Sequence, residues 1–448
     1  VMAAAPSDGS GSDADTGWLS DDTGPEVEDV GDRRESSGAA SSSGVEQRLP
    51  QRWSDEDEPT LEYRRLGANV ASVLEEDVAS CATAREDLFA LGTKSGCVHV
   101  FSYAGDFCSR ARRLSSARRE RAPTHAAPVT GVAFDAHGEH VASCAADGTV
   151  SVARLGRRRR RPEKKSGREK IFRDDGANEM TTVFAGEHDC AALAVALDPR
   201  PETRDGSRRL VVVGLADGRL VAHTFASARL GREADQPSFV AESAGRAASS
   251  VDAIHHGRGE GPVRAVAWAG PCVAWANDRG VKIYDVSMKT PVAHIDRPRG
   301  SPPPERYSPR LVWDGDATLL VGWADCVWVV AVSPRARSDW VRRAEVLEQF
   351  QTTYVVAGIA PGPREDELTV LAFLERNGEN DASARDGEST GEKEEPSTNR
   401  RVSRRPEVRV VRRRSAGVSE TSRDALGVAG YDAFSPEEYA LVCLSPKS

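Results

Sequence analysis

An all-β fold of repeated four-stranded units is predicted by three observations. The first is the stretch from residue 261 to 286, GPVRAVAWAGPCVAWANDRGVKIYDV, in which three short apolar runs follow one another with a turn signal in each gap. Val263, Ala265 and Ala267 alternate with Arg264, Val266 and Trp268; Cys272 to Ala276 form a second run and Val281 to Val286 a third, with Lys282 and Asp285 breaking the apolar positions. A period of two in short runs of β-branched and aromatic residues is a strand signature. Gly270-Pro271 and Asn277-Asp278-Arg279-Gly280 supply the turn chemistry that hairpins need. The second observation is that this unit recurs along the chain, and the third is that polar inserts punctuate the copies. A single four-stranded sheet leaves a face uncovered, whereas radial stacking covers the faces and leaves only short edges, so the repeat implies a β-propeller.

Taken in order, residues 1–58 come first, rich in Ser, Gly, Asp and Glu. They hold too little apolar surface to offset the entropy of ordering and are expected to form a disordered acidic tail. The first 59 residues carry 15 Asp and Glu against 4 Arg, a net of −11; taken from the total of −9, this leaves the rest near +2. Within the tail, Trp18-Leu19 followed by Asp21 and Asp22 is a candidate docking motif, set against the plainer reading of an isolated apolar pair. The propeller is expected over 59–448. Leu61 to Leu66 (LEYRRL) is the strand expected to close the ring by completing the last blade.

Apolar run, Gly-containing turn and second apolar run then repeat around Gly96, Gly148, Gly218 and Gly280, with a fifth copy from Leu319 to Val332 that has Cys326 where the others have Gly. The glycine spacings are 148 − 96 = 52, 218 − 148 = 70 and 280 − 218 = 62. They exceed the ~40–45 of a compact blade, and inserts between blades, at about 156–180, 226–261 and 298–309, account for the excess. Tyr354 to Leu374 and Pro406 to Leu444, on either side of a low-complexity insert at about 376–405, add two further candidates. The count is seven blades. The propeller is of a degenerate WD type, because the Trp-Asp dipeptide that ends a strand in such repeats is missing and Trp313-Asp314 falls on a different strand.

Eight cysteines, none in a CxxC pair and most inside apolar runs, point to small buried hydrophobes in a reducing compartment. The start VMAAAPSDGS has neither the basic nor the apolar region of a secretory signal. The longest apolar stretch, Leu319 to Val332, is too short to span a bilayer and carries Asp325. A soluble protein is expected.

Motifs for nucleophilic, phosphate-binding, metalloprotease or dinucleotide chemistry are absent, so no catalytic, cofactor or metal residue is assigned and an enzyme is not expected. His255-His256 reads as a solvated loop pair and His188-Asp189 as a pair without a nucleophile. From Arg154 to Arg173 there are eleven Arg and Lys against Glu163 and Glu169. Arg157, Arg158, Arg159, Arg160, Arg161, Lys164 and Lys165 form its core, a candidate contact for an anionic membrane surface. A solvated loop is the plainer reading. Nucleic-acid binding lacks the interleaved aromatics it needs for stacking, which argues against it. Trp268, Trp275, Trp313, Trp323 and Trp328 are expected in blade packing.

Residues 263–286 closely resemble the N-terminal propeller of the vacuolar protein sorting-associated protein 41 family, subunits of the HOPS tethering complex, through the run WANDRGVKIYD. EPTLEYRRLGANV, DVASCATAREDLFALGTKSGCVHVF, GEHVASCAADGTVSV, LLVGWADCVWVVAV and TTYVVAGIAP follow the family's order, so the resemblance covers most of 58–444. It implies a scaffold in vesicle-mediated protein transport and in fusion of late endosomes or autophagosomes with the vacuole or lysosome. Its implied partners are other tethering-complex subunits, Rab-type GTPases, SNAREs and adaptor proteins, and its implied location is cytoplasmic, peripheral at late endosome and vacuole or lysosome membranes. Family members continue into an α-solenoid and a zinc-binding RING-like module, whereas this sequence reaches SPKS, and the inserts at 157–173 and 376–405 depart from the family pattern. The alternative is a WD-type scaffold of another assembly, nuclear or nucleic-acid-associated, recruited through the Arg-rich insert.

Overall fold

The computed structural model describes residues 68–85, 88–103, 107–110, 123–155, 180–200, 208–226, 251–257, 259–333, 342–373, 406–414 and 417–425. All lie in one compact unit, Leu49–Ser448. The tail, Trp18, Leu19, Asp21, Asp22 and the closing strand at 61–66 lie outside the described residues.

Among the described residues, twenty-four strands form six four-stranded antiparallel meanders. The first sheet holds β1 (Ala79–Ala84), β2 (Leu88–Thr93), β3 (Val98–Ser102) and β4 (Phe107–Arg110). The second holds β5 (Val129–Phe134), β6 (His140–Ala145), β7 (Thr149–Arg154) and β8 (Thr181–Glu187), and the third β9 (Ala192–Leu197), β10 (Arg208–Leu215), β11 (Leu220–Ala226) and β12 (Val251–His255). The opening stretch supplies the fourth: β13 (Ala265–Ala269), β14 (Cys272–Ala276), β15 (Gly280–Asp285) and β16 (Thr290–Asp296). The fifth holds β17 (Arg310–Asp314), β18 (Thr318–Trp323), β19 (Cys326–Val332) and β20 (Ala344–Gln351), and the sixth β21 (Val355–Pro361), β22 (Glu367–Phe373), β23 (Pro406–Arg414) and β24 (Gly417–Ala425). The first strand of each sheet packs against the first strand of the next, which is the radial arrangement of a propeller.

The described residues form six blades, not the seven counted from sequence. The difference has one source: β22 pairs with β23, Leu368 against Val411 and Phe373 against Pro406, so the two segments counted as separate blades are halves of one sheet. The 374–405 segment therefore connects strands inside a blade. The basic insert does the same between β7 and β8, and residues 227–250 between β11 and β12. A long polar insertion is cheap at any strand connection, since closure entropy grows only slowly with loop length, so composition alone does not separate a connection within a blade from one between blades.

Alternation on each strand gives the sheets two apolar faces, and five seams are seen among the described residues. Ala90, Val98 and Val100 meet Val129, Val141 and Ala153; Cys144 and Val152 meet Val211, Val213 and Leu215. Val212 and Leu220 meet Val273 and Trp275, and Ala274 and Ile283 meet Leu319, Val321, Trp323 and Trp328. Leu320 and Val329 meet Val356, Ile359, Val370 and Val411. Trp275, Trp323 and Trp328 are buried, as the sequence implies, and Trp268 and Trp313 are half-buried. The outer face of the first sheet is covered by helix α1 (Ala68–Glu76), which sets Val70 on Phe89, Leu91 and Phe101. In all six blades the third and fourth strands pair through a bulge, which leaves one residue of the fourth strand without a register partner: Cys108, Val183, Ile254, Val292, Leu347 and Thr421.

Candidate interaction face

In a meander the turn between second and third strands falls at the same end as the link to the next blade. This end, termed upper, is where the recurrent turns meet the inter-blade links, and the polar side chains there form a series of locks. In the second blade, His125, on the incoming link, bonds Thr149 Oγ1 (2.6 Å) through Nδ1 and Ser143 Oγ (2.7 Å) through Nε2, while Asp147 in the turn accepts from the Ala126 N–H (2.9 Å). Gly148 in that turn has φ +82, and a Cβ there would lie 2.4 Å from the His188 carbonyl oxygen, so the left-handed turn and the close link both require glycine. In the fifth blade the turn residue with positive φ is Ala324, not the Cys326 aligned from sequence.

The third blade's lock is built on two facing imidazoles, with Nε2 of His188 and Nε2 of His223 3.0 Å apart. Burial, with a smaller contribution from His188, lowers the His223 pKa to about 4. Burial likewise lowers His188. Both rings are neutral at physiological pH, sharing one N–H···N bond. Beside them Asp189, Cys190 and Asp217 each offer an atom within 4.8 Å of the others, the one group of metal-ligating side chains found among the described residues. Arg219 fills that position, bonding Asp217 through Nε and Asp189 through its terminal nitrogen. The group is thus an ion-pair triad.

The fullest lock joins the third and fourth blades. Glu260, on the link between them, accepts from Lys282 Nζ (2.6 Å) on Oε1 and from Asn277 Nδ2 (2.7 Å) and His255 Nε2 (2.9 Å) on Oε2. Lys282 is 1% exposed at its side chain and Glu260 24%. Burial raises the Glu260 pKa, but the hydrogen bond from Lys282 and the nearby positive charge outweigh it and hold the carboxyl below its usual range. Burial and the Lys282 charge lower His255. Asn277 Oδ1 also receives the Arg279 and Gly280 N–H groups, which sets the β14–β15 turn. Arg264 extends the chain of contacts to Asp278 (3.1 Å) and Glu305 (2.9 Å). His255 is therefore a buried lock residue rather than half of a solvated pair; His256 is exposed. Its neighbour points the other way, as extended backbone requires.

At the lower end Arg209 bridges the second and third blades, donating to Asp135 Oδ2 (2.8 Å) and to the Asp198 carbonyl (2.7 Å). Asp135 also bonds His140 (3.1 Å). Burial raises the Asp135 carboxyl, yet the bonds from His140 and Arg209 hold it well below the ordinary range. Arg157 to Arg161, Lys164 and Lys165 lie outside the described residues. The strands they join, β7 and β8, open onto this lower end.

Sequence reasoning overlooked Glu260, His125, His223 and Arg209. Lys282 was a usable signal, because an ammonium inside an apolar strand needs a buried acid; which acid is a matter of tertiary contact. The six innermost strands carry only Arg310 and Asp314 as charged residues, both in β17. The locks join each link to the blade it enters.

The family model for the Vps41 propeller, described as the Vps42 beta-propeller, matches residues 61–163 and 248–448. Vacuolar protein sorting-associated protein 41 homologs are similar over 86% of this chain: 30% identical for Arabidopsis thaliana, 32% for Solanum lycopersicum and 27% for Homo sapiens. The alignments cover 33%, 34% and 36% of those proteins, so the chain spans about a third of the length of these relatives. Among solved structures, the Myceliophteria thermophila Cps50 (Swd1) β-propeller domain superposes with a TM-score of 0.45 at 11% identity, over 78% of this chain and 86% of that one. With its fingerprint WANDRGVKIYD folded as β14, turn and β15 and the family model matched over more than half its length, the chain belongs to the Vps41 β-propeller family.

Proposed function

We propose that this propeller is a non-enzymatic interaction scaffold within a HOPS-type tethering complex, acting in vesicle-mediated transport and in fusion of late endosomes and autophagosomes with the vacuole or lysosome. The observation that carries the reading is membership of the Vps41 propeller family, whose similar members are named for vacuolar protein sorting. The locks fit it. Their polar groups are committed to one another, which favours a rigid frame that offers loops and edges to partners, with affinity set by a few contacts and no bond-making step. The partners on this reading are other tethering-complex subunits, a Rab-type GTPase, SNAREs and adaptors, met from the cytoplasmic side of late endosome and vacuole or lysosome membranes. No helix among the described residues is long and apolar enough to cross a membrane. The basic insert adds a contact with anionic lipid, worth ~1 kcal/mol per basic residue near the surface.

The test is localisation and co-purification of the tagged protein at its native level. Puncta on late endosomes and the vacuole, together with recovery of the other tethering subunits, support the reading. Nuclear accumulation that depends on Arg157 to Arg161 favours the nuclear scaffold instead. Flotation with liposomes containing acidic lipid tests the insert: binding indifferent to lipid charge and to salt would overturn the electrostatic contact.

A further inference from the structure

The bulge between third and fourth strands recurs in every blade, and in one blade its extra residue behaves differently. Val183, Ile254 and Val292 are half-buried and pack against the cores of their own seams. Leu347, the equivalent residue of β20, is 54% exposed, and Val346 beside it is 38% exposed. A regular strand would turn one of two neighbours inward; the bulge keeps both out. β20 is the last strand of its sheet, so its outer edge meets no described strand. Its sequence, AEVLEQFQ, has neither the proline nor the lysine that commonly blunts such an edge.

Two acidic side chains flank this pair, with Arg343 exposed just before the strand and Arg413 beside Glu348. Glu345 is exposed, and Glu348 reaches Arg413 only at 3.9 Å while its Oε2 is buried without a hydrogen-bond donor. We propose that the edge of β20 is a docking site for an extended basic segment of a partner protein, in which Lys or Arg alternates with aliphatic residues, added as a further strand with its aliphatic side chains on Val346 and Leu347. Main-chain bonds to this edge, which no described strand covers, give affinity, and the exposed Glu345 selects basic residues. A second copy of the same strand fits poorly, because antiparallel self-pairing brings these glutamates together. The inference stands apart from membership in any particular complex.

The probe is a fluorescent peptide of alternating Lys and Val, titrated into the full chain and read by polarisation. Saturable binding is expected, weakened at least about tenfold by V346S/L347S, weakened by Glu345→Lys and by salt, and lost when alternate peptide amides are N-methylated. Val292→Ser, at the half-buried equivalent, should lower the melting temperature more than Leu347→Ser, which separates loss of docking from loss of fold. Equal binding to V346S/L347S, equal binding of a Glu-Val peptide, equal binding of the N-methylated peptide, or no binding overturns the proposal. So does self-association of the chain that V346S/L347S abolishes.

Discussion

Glu260 and Lys282 allow an asymmetric test of how the third and fourth blades are held. Replacing Glu260 by Gln removes the carboxylate 2.6 Å from an ammonium that is 1% exposed. Breaking a buried pair so that one charge stays buried costs about 3–5 kcal/mol. Replacing Lys282 by Met strands the carboxylate instead, but Glu260 is 24% exposed and keeps the donors Asn277 and His255, so water and these partners recover part of the loss. That variant should cost about 1–2 kcal/mol, net of the apolar surface the methionine contributes. The double variant removes both charges and should cost less than Glu260→Gln alone, with a coupling of about 2 kcal/mol or more. Urea unfolding of the four proteins, followed by tryptophan fluorescence, reads this directly, since Trp275 sits in the same seam. Equal costs for the two single variants, or simple additivity in the double, would refute the assignment of Glu260 as the counterion that makes a buried lysine tolerable.

The paired imidazoles predict an acid-sensitive seam. His223 titrates near 4 in the fold against an ordinary 6.5, so its contribution is complete above pH 6.5 and lost as pH falls toward 4. This is worth about 3 kcal/mol at most, and H223Q, which still bonds His188 but does not titrate, should flatten the stability profile over that window in urea titrations at stepped pH. Gly148→Ala should cost at least about 3 kcal/mol, because strain at positive φ of about 1 kcal/mol is joined by a collision with the His188 and Cys190 carbonyls. Gly259→Ala, at φ +75 with nothing within 4 Å, isolates the strain alone and should cost about 1 kcal/mol in the same assay. Arg209→Met leaves Asp135 buried beside His140 and should cost about 3–5 kcal/mol, relieved on acidification as the carboxyl is protonated; unchanged melting would count against this clamp.

Strand order and blade cores were legible because they depend on local pattern. Cys272 to Ala276 reads as a strand from its own composition, and Gly148 marks its turn without reference to anything distant. The blade count was not legible, because β22 and β23 are joined across a polar segment whose composition is the same whether it separates blades or interrupts one. Helix α1 was missed for a related reason. ANVASVLEE is nine residues, short enough that helicity depends on Val70 finding Phe89, Leu91 and Phe101. Glu260 and His223 are a further step removed, since a lone Glu in a glycine-rich link and a His in a strand acquire meaning only when the seam closes.

The fingerprint WANDRGVKIYD joins these two levels. Its residues serve four contacts that depend on one another: Trp275 fills the seam, Asn277 both sets the turn and reaches Glu260, Lys282 meets the same carboxylate, and Asp285 accepts from Ser287, Met288 and, at 3.0 Å, Arg342 of the next blade. Changing any one leaves another group unsatisfied in a buried place, which costs more than the lost contact itself. Such a run resists single substitutions for reasons internal to the fold. Partner contacts fall where substitution is cheap, and Leu347 illustrates the difference. Leu347 is 54% exposed where Val183, Ile254 and Val292 of other blades pack on their cores, which is why the proposed docking site is placed there and not on the fingerprint.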